Sequence, residues 1–99
     1  MNEPTTMERK SGAAVLCSDL VSPHQRLAII AVAQVATEEL MAAQLRLRTV
    51  EQIKDNILRC VYWREFMEAA RAGLVGEDWL PGALGRVVLG WAKNGAHAG

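Results

Sequence analysis

The run from Ser22 to Leu47 constrains this chain more than any other stretch, because it is nearly apolar and opens on a complete helix start signal. Ser22 suits the N-cap and Pro23 the first helical position, where a missing N–H costs nothing. Gln25, three residues on, is placed to reach back and complete a capping box. Leu27 to Ala33 then follow without a polar residue. At about 100° per residue, Ile29, Val32, Ala36, Leu40, Ala43 and Leu47 share one stripe. The opposite face starts apolar with Leu27, Ile30 and Ala31 and is interrupted by Gln34 and Glu38. The expectation is a central helix covered on both sides in its first half and on one side in its second.

A chain of 99 residues makes one domain or two small lobes, and at this size folding buries only about 60 to 65 % of the unfolded surface. A hydrophobic fraction of 51 % is that of a globular chain rather than a disordered one. Charge is balanced at 11 basic and 11 acidic residues, five of each before Thr49 and six of each from there on. Neither half carries the basic footprint of a nucleic-acid binder or the acidic surface of a DNA mimic. Near-neutral surfaces also tend to associate, so self-association fits.

Cys17 and Cys60 lack any CxxC or Cys/His ligand spacing, which suits separate reduced thiols. Residues 1–11 are polar, without the basic-then-apolar order of a signal peptide, and read as a flexible arm. Gln34, Thr37, Glu38 and Glu39 cut the central apolar run short of the roughly 20 residues a membrane span needs. These features lead to an expectation of a cytoplasmic protein without a membrane segment.

Ala13–Val21 is short and mostly apolar, is broken by Ser18 and Asp19, and leads into the Ser22 turn as a short helix. His24, in the first turn of the central helix, is read as exposed, with no second ligand in sequence reach. Arg46 and Arg48 place positive charge where the central helix ends. Thr49 and Gln52 form a second capping box, and Val50, Ile53, Ile57, Cys60 and Val61 share a face, with Asp55 and Arg59 paired opposite. Continued straight to Gly73, this helix would carry Arg64, Glu68 and Arg71 onto its own apolar stripe, while Trp63, Phe66, Met67 and Ala70 would cluster half a turn away. Either it breaks near Tyr62 and Trp63 or its neighbours change sides, and both readings give two packing groups. A break is favoured, with helices over 50–61 and 63–72 and possible lobes at 12–61 and 63–94.

Gly73 is the expected stop after this segment. Beyond the loop to Leu80, Pro81 begins a last helix with Leu80, Leu84, Val87, Val88 and Trp91 inward and Arg86 and Lys93 opposite. Gly85 and Gly90 each cost that helix about 1 kcal/mol relative to Ala. Residues 95–99 read as a frayed tail. The fold class expected is all-α, with four or five helices.

Chemistry is sparse. The sequence holds no GxGxxG, Walker loop, HExxH, GxSxG or EF-hand pattern, so no enzyme activity, cofactor or metal is expected. Glu38–Glu39 and Glu65 with Glu68 are paired carboxylates in form, but each has Arg nearby on a helix and reads as solvated charge. A helix-turn-helix can be drawn from the central helix through Thr49 to Arg59, since Thr49-Val50-Glu51-Gln52 resembles the start of a recognition helix, yet Glu51 and Asp55 beside Lys54 and Arg59 would repel phosphates as much as attract them. Trp63 and Trp91 fit apolar stripes and default to the core. Trp79, behind Glu77 and Asp78 and before a proline, either caps the core or anchors an interface.

Taken as a whole, the opening Met1-Asn2-Glu3-Pro4-Thr5-Thr6, the start Ser22-Pro23-His24-Gln25 and the run Val61-Tyr62-Trp63-Arg64 make the chain resemble a type I-F anti-CRISPR protein of a bacterial virus. Such inhibitors share no common pattern, so no functional residue carries over. The resemblance implies a stoichiometric inhibitor in the cytoplasm of a bacterial host. It would bind protein subunits of a guide-RNA surveillance complex, without direct tight nucleic-acid binding, and stop target DNA from pairing with the guide. The neutral charge favours wedging between subunits or covering a local Lys-rich patch. From the residues themselves, the expected contact is Glu77, Asp78 and Trp79, extended by Arg86 and Lys93. Glu77 and Asp78 adjoin with no basic neighbour in sequence. The alternatives are a small helix-turn-helix-like DNA-binding regulator and, third, a structural or assembly factor of a virus.

Overall fold

The computed structural model describes residues 21–98. The short helix expected over Ala13–Val21, the arm before it and Cys17 lie outside them, apart from Val21, which is buried. Among the described residues four helices follow one another: α1 Pro23–Gln44, α2 Val50–Leu58, α3 Trp63–Arg71 and α4 Ala83–Lys93. No strand occurs among the described residues, and the protein is small and all-α.

Both capping boxes form as the sequence predicts. The Gln25 N–H donates to Ser22 Oγ at 3.1 Å while the Ser22 N–H donates to the Gln25 side chain at 3.2 Å. At α2 the Gln52 N–H donates to Thr49 Oγ1 at 3.1 Å and the Thr49 N–H to the Gln52 side chain at 2.8 Å. Each box satisfies two backbone donors that a helix start leaves open.

The C-termini of α1, α3 and α4 share one device. In each, the second residue past the C-cap donates back to the carbonyl five positions earlier: Leu47 to Ala42, Leu74 to Ala69 and Ala96 to Trp91, all at 2.9 Å. This closure needs a left-handed residue just before the donor. Gly73 and Gly95 supply two of these at φ 78° and 76°, and Arg46 supplies the third at φ 60°. α1 therefore stops at Gln44 rather than Leu47, and Arg46 is the turn residue rather than part of the last turn.

α1 packs against α2 and α3, and α4 packs against α3. The most heavily buried element is thus α3, with Trp63, Phe66, Ala69 and Ala70 in the core, four of its nine residues. α1 buries only Ala28, Ile29, Val32, Ala36 and Glu39 of its 22. Leu40 and Leu47 of the expected stripe are exposed, as are Leu27 and Ile30, which were expected to be covered. A helix apolar on nearly every side gives its periodicity little power to choose a buried face. By length and composition α1 is also apolar enough to cross a membrane, despite its polar interruptions.

The break between α2 and α3 falls where the charged and apolar faces conflicted. α2 ends at Leu58, the Trp63 N–H donates to the Cys60 carbonyl at 2.9 Å, and α3 starts afresh at Trp63. Arg64, Glu68 and Arg71 turn outward as a result. The two packing groups expected on either side are joined: Ile57 and Leu58 of α2 lie in one cluster with Phe66, Trp79, Val88 and Leu89. Val50 and Val61, expected on one apolar face, are both exposed, Val50 at the start of α2 and Val61 in the turn beyond it.

At the far end, α4 begins at Ala83, not Pro81, because Gly82 takes φ 86° and holds residues 81 and 82 in a turn. The face of α4 that is buried is Gly85, Val88, Leu89 and Ala92, with Leu84 and Trp91 at its edges and Val87 exposed. The tail expected to fray is instead attached. Ala96 and Ala98 pack on the core, and the Trp63 indole N–H donates to the Ala96 carbonyl at 2.6 Å.

Candidate partner-binding surfaces

The acidic turn between α3 and α4 is held from beneath. The Trp79 N–H donates to the Gly76 carbonyl at 3.1 Å, and the Trp79 indole N–H donates to the Gly85 carbonyl at 2.8 Å. The indole lies 4.8 Å from the Phe66 ring, which in turn stacks at 5.4 Å on Trp63. Trp79 is therefore a buried anchor, and the interface role considered for it reduces to the edge it contributes to a groove. Burying that indole and satisfying its N–H fixes the backbone on either side. Glu77 and Asp78 immediately before it are exposed, and neither forms an ion pair among the described residues.

Arg86 and Lys93 are both exposed on α4. Seven residues apart, they lie on one side of the helix with about 10 Å between them along its axis. Arg86 is near the acidic turn in sequence and Lys93 is at the other end, so the five expected contact residues form a surface only if a partner spans the length of α4.

A groove of about 490 Å³ runs along α1, lined by Ile29, Ile30, Ala33, Thr37 and Glu38 with Trp79 at its side. Sequence reasoning missed it by taking Ile30 as covered. The polar interruption at Gln34, Thr37 and Glu38 is the signal that marks this side of α1 as open.

Two charged clusters also differ from expectation. Glu39, read as solvated, is only 8 % exposed. The Asn56 amide donates to its Oε1 at 3.1 Å, and Arg48 Nε reaches the same oxygen at 3.3 Å. α2 and the turn after α1 thus supply the partners that let a carboxylate face inward. His24, exposed as expected, meets Glu65 Oε2 at 3.4 Å and lies edge-on to Tyr62. A backbone N–H in the first turn of α3 and then the His24 side chain hold the Glu65 carboxyl below its ordinary value. This pair links the starts of α1 and α3.

Among the described residues, no group of three or more His, Cys, Asp and Glu is placed to hold a metal ion. Cys60 is a half-buried free thiol. Compared with protein-family models, with curated proteins and with solved structures, the chain matches none of them.

Proposed function

We propose that this protein is a stoichiometric, non-enzymatic inhibitor that binds protein subunits of a type I-F CRISPR surveillance complex and blocks target DNA. The identity of the target rests on the resemblance described above. The observation that supports a contact of this kind is the exposed Glu77–Asp78 pair, set on a turn that Trp79 anchors into the core. A preorganised acidic knob loses little entropy on docking and suits a Lys- or Arg-rich surface.

The basic residues on α2 favour this reading over a DNA-binding regulator. Lys54 sits 5.3 Å from the Trp91 ring centre, and Arg59 pairs with Asp55 at 2.9 Å. Both cations have partners within the fold, and Glu51 is exposed beside them.

The test is titration of the purified protein into a guide-loaded type I-F complex, with binding of a labelled target duplex as the readout. Stoichiometric loss of target binding is expected. Replacing Glu77 and Asp78 together by Lys should weaken capture by about tenfold or more while helix content stays the same. A complex that binds target equally well at saturating protein rejects the reading. Submicromolar, salt-sensitive binding to a random duplex would favour the regulator instead.

A further inference from the structure

The outward side of α1 is unusual for a solvent face. Leu27, Ile30, Gln34, Thr37, Met41 and Gln44 follow one another at alternating steps of three and four residues, and all six are exposed. Such spacing is that of a coiled-coil seam, filled here by the apolar Leu27, Ile30 and Met41 and the uncharged Gln34, Thr37 and Gln44. Leu27, Ile30 and Met41 are 48 %, 39 % and 58 % exposed, and Leu45 beside them is 69 % exposed. Between Leu27 and Leu45 this face carries one charge, Glu38. Isolated exposed apolar residues mean little, but a continuous seam with so little charge is what a packing surface looks like.

From this arrangement we propose that the outer face of α1 is a homodimer interface, in which the α1 helices of two copies pack antiparallel about a two-fold axis between Gln34 and Thr37.

Run against its own reverse, the seam sets no charge against a like charge. About that axis, Ile30 faces Met41 of the second copy, Leu27 faces the Gln44 and Leu45 end, and Gln34 faces Thr37. The apolar pair Ile30–Met41 flanks an uncharged polar pair at the centre, where it fixes register, and at either end Leu27 meets Gln44 with Leu45 beside it. A parallel pairing would set Glu38 against Glu38 and align the two helix dipoles, whereas the antiparallel one sets Glu38 near Ala33 and opposes the dipoles. A formal net charge of zero adds no long-range repulsion between copies. The 22 residues of α1 span about 33 Å. Closing that face covers roughly 600 Å² on each copy, at the lower end of what a stable dimer needs. With no aromatic or Arg anchor in the seam, the expected dissociation constant is micromolar.

Sedimentation velocity of the full chain from about 1 µM to several hundred micromolar tests this. The mass should rise with concentration from 10.8 kDa toward twice that value. Ile30→Glu should shift the midpoint at least tenfold with unchanged circular dichroism. In a background with Cys17→Ser and Cys60→Ser, the double variant Ile30→Cys with Met41→Cys should cross-link on oxidation, and Ile30→Cys alone should not. A chain that stays monomeric throughout overturns the proposal and leaves the face to another protein or to the residues before Val21. Cross-linking of the single variant, or indifference to Ile30→Glu, overturns it as well. The measurement needs only the isolated protein, so it fails or succeeds independently of the surveillance-complex reading.

Discussion

The Trp63 indole N–H donates to the Ala96 carbonyl oxygen at 2.6 Å, tying the first turn of α3 to the chain just beyond α4. Ala96 is also the residue whose N–H closes the end of α4 on Trp91. Both polar groups of one small residue are thus engaged, and this is how a tail without large side chains stays attached. Trp63→Phe keeps most of the aromatic contact with Phe66 but leaves that carbonyl without its donor. The cost should be about 1 to 2 kcal/mol in urea unfolding. Amide exchange at residues 95–98 should rise more than in α2.

Arg46 holds the same left-handed position at the end of α1 that Gly73 holds at the end of α3. A side chain there meets a steric penalty of about 1 kcal/mol or more that glycine avoids. Arg46→Gly should therefore stabilise the fold by up to about 1 kcal/mol, less what glycine adds to unfolded-chain entropy. Arg46→Val should destabilise it by more, since β-branched residues adopt this conformation worst. Thermal melts of the three proteins, ordered Gly above Arg above Val, are the expected result.

Glu38 and Glu39 are neighbours with opposite fates. Glu38→Ala removes an exposed charge and should change stability by less than about 0.5 kcal/mol. Glu39→Ala strips Asn56 and Arg48 of a shared acceptor at a buried site. It should cost about 1.5 to 3 kcal/mol, the range for hydrogen bonds to a charged group, with the lower end favoured because Arg48 is partly exposed. Equal unfolding midpoints for the two variants would sink this assignment.

These residues also mark what the sequence could and could not convey. The starts of α1 and α2 were legible because a capping box is local chemistry, complete within four residues. The break before Trp63 was legible because one straight helix could not present both Ile57 and Phe66 to a core without also burying Arg64 and Glu68. Which face of α1 would be covered was not legible, since Leu27 and Ile30 are as apolar as Ile29 and Val32. Glu39 was misread because its partners, Asn56 and Arg48, come from beyond the helix. Of the candidate site, the exposure of Glu77 and Asp78 agrees with the acidic turn expected there. The groove beside Trp79 depends on how α1 meets the loop after α3, which no local pattern encodes.

The Glu65 carboxyl is held below its ordinary value, about 4.3 for an unperturbed glutamate, by a backbone N–H and then by His24. A depressed folded-state value means the unfolded chain binds the proton more readily. The associated stability is present above the unfolded value and is lost as pH falls through the folded one. Urea midpoints should fall between about pH 5 and pH 3, and Glu65→Gln should remove part of that slope. An unchanged slope in the variant would assign the acid sensitivity to other carboxylates.

Two glycines of α4 that cost the helix equally in propensity should respond oppositely to alanine. At Gly90 a new Cβ meets nothing within 4 Å. Gly90→Ala should then recover the helix propensity lost to glycine, about 1 kcal/mol of added stability. At Gly85 the same Cβ would run into the Leu80 carbonyl group, which is backbone and cannot rotate away. Moving Leu80 also disturbs the turn that presents Glu77 and Asp78, because the Trp79 indole is bonded to the Gly85 carbonyl itself. The propensity gain is offset by an overpacking cost of about 1 to 3 kcal/mol, so Gly85→Ala should be neutral to destabilising by about 2 kcal/mol. Its signature should be local as well as global. Trp79 fluorescence should shift to the red as the indole loses its buried partner, whereas Gly90→Ala should leave the spectrum unchanged. If Gly85→Ala instead raises the melting temperature as much as Gly90→Ala, the close approach of α4 to the acidic turn is wrong, and with it the rigid presentation of Glu77 and Asp78.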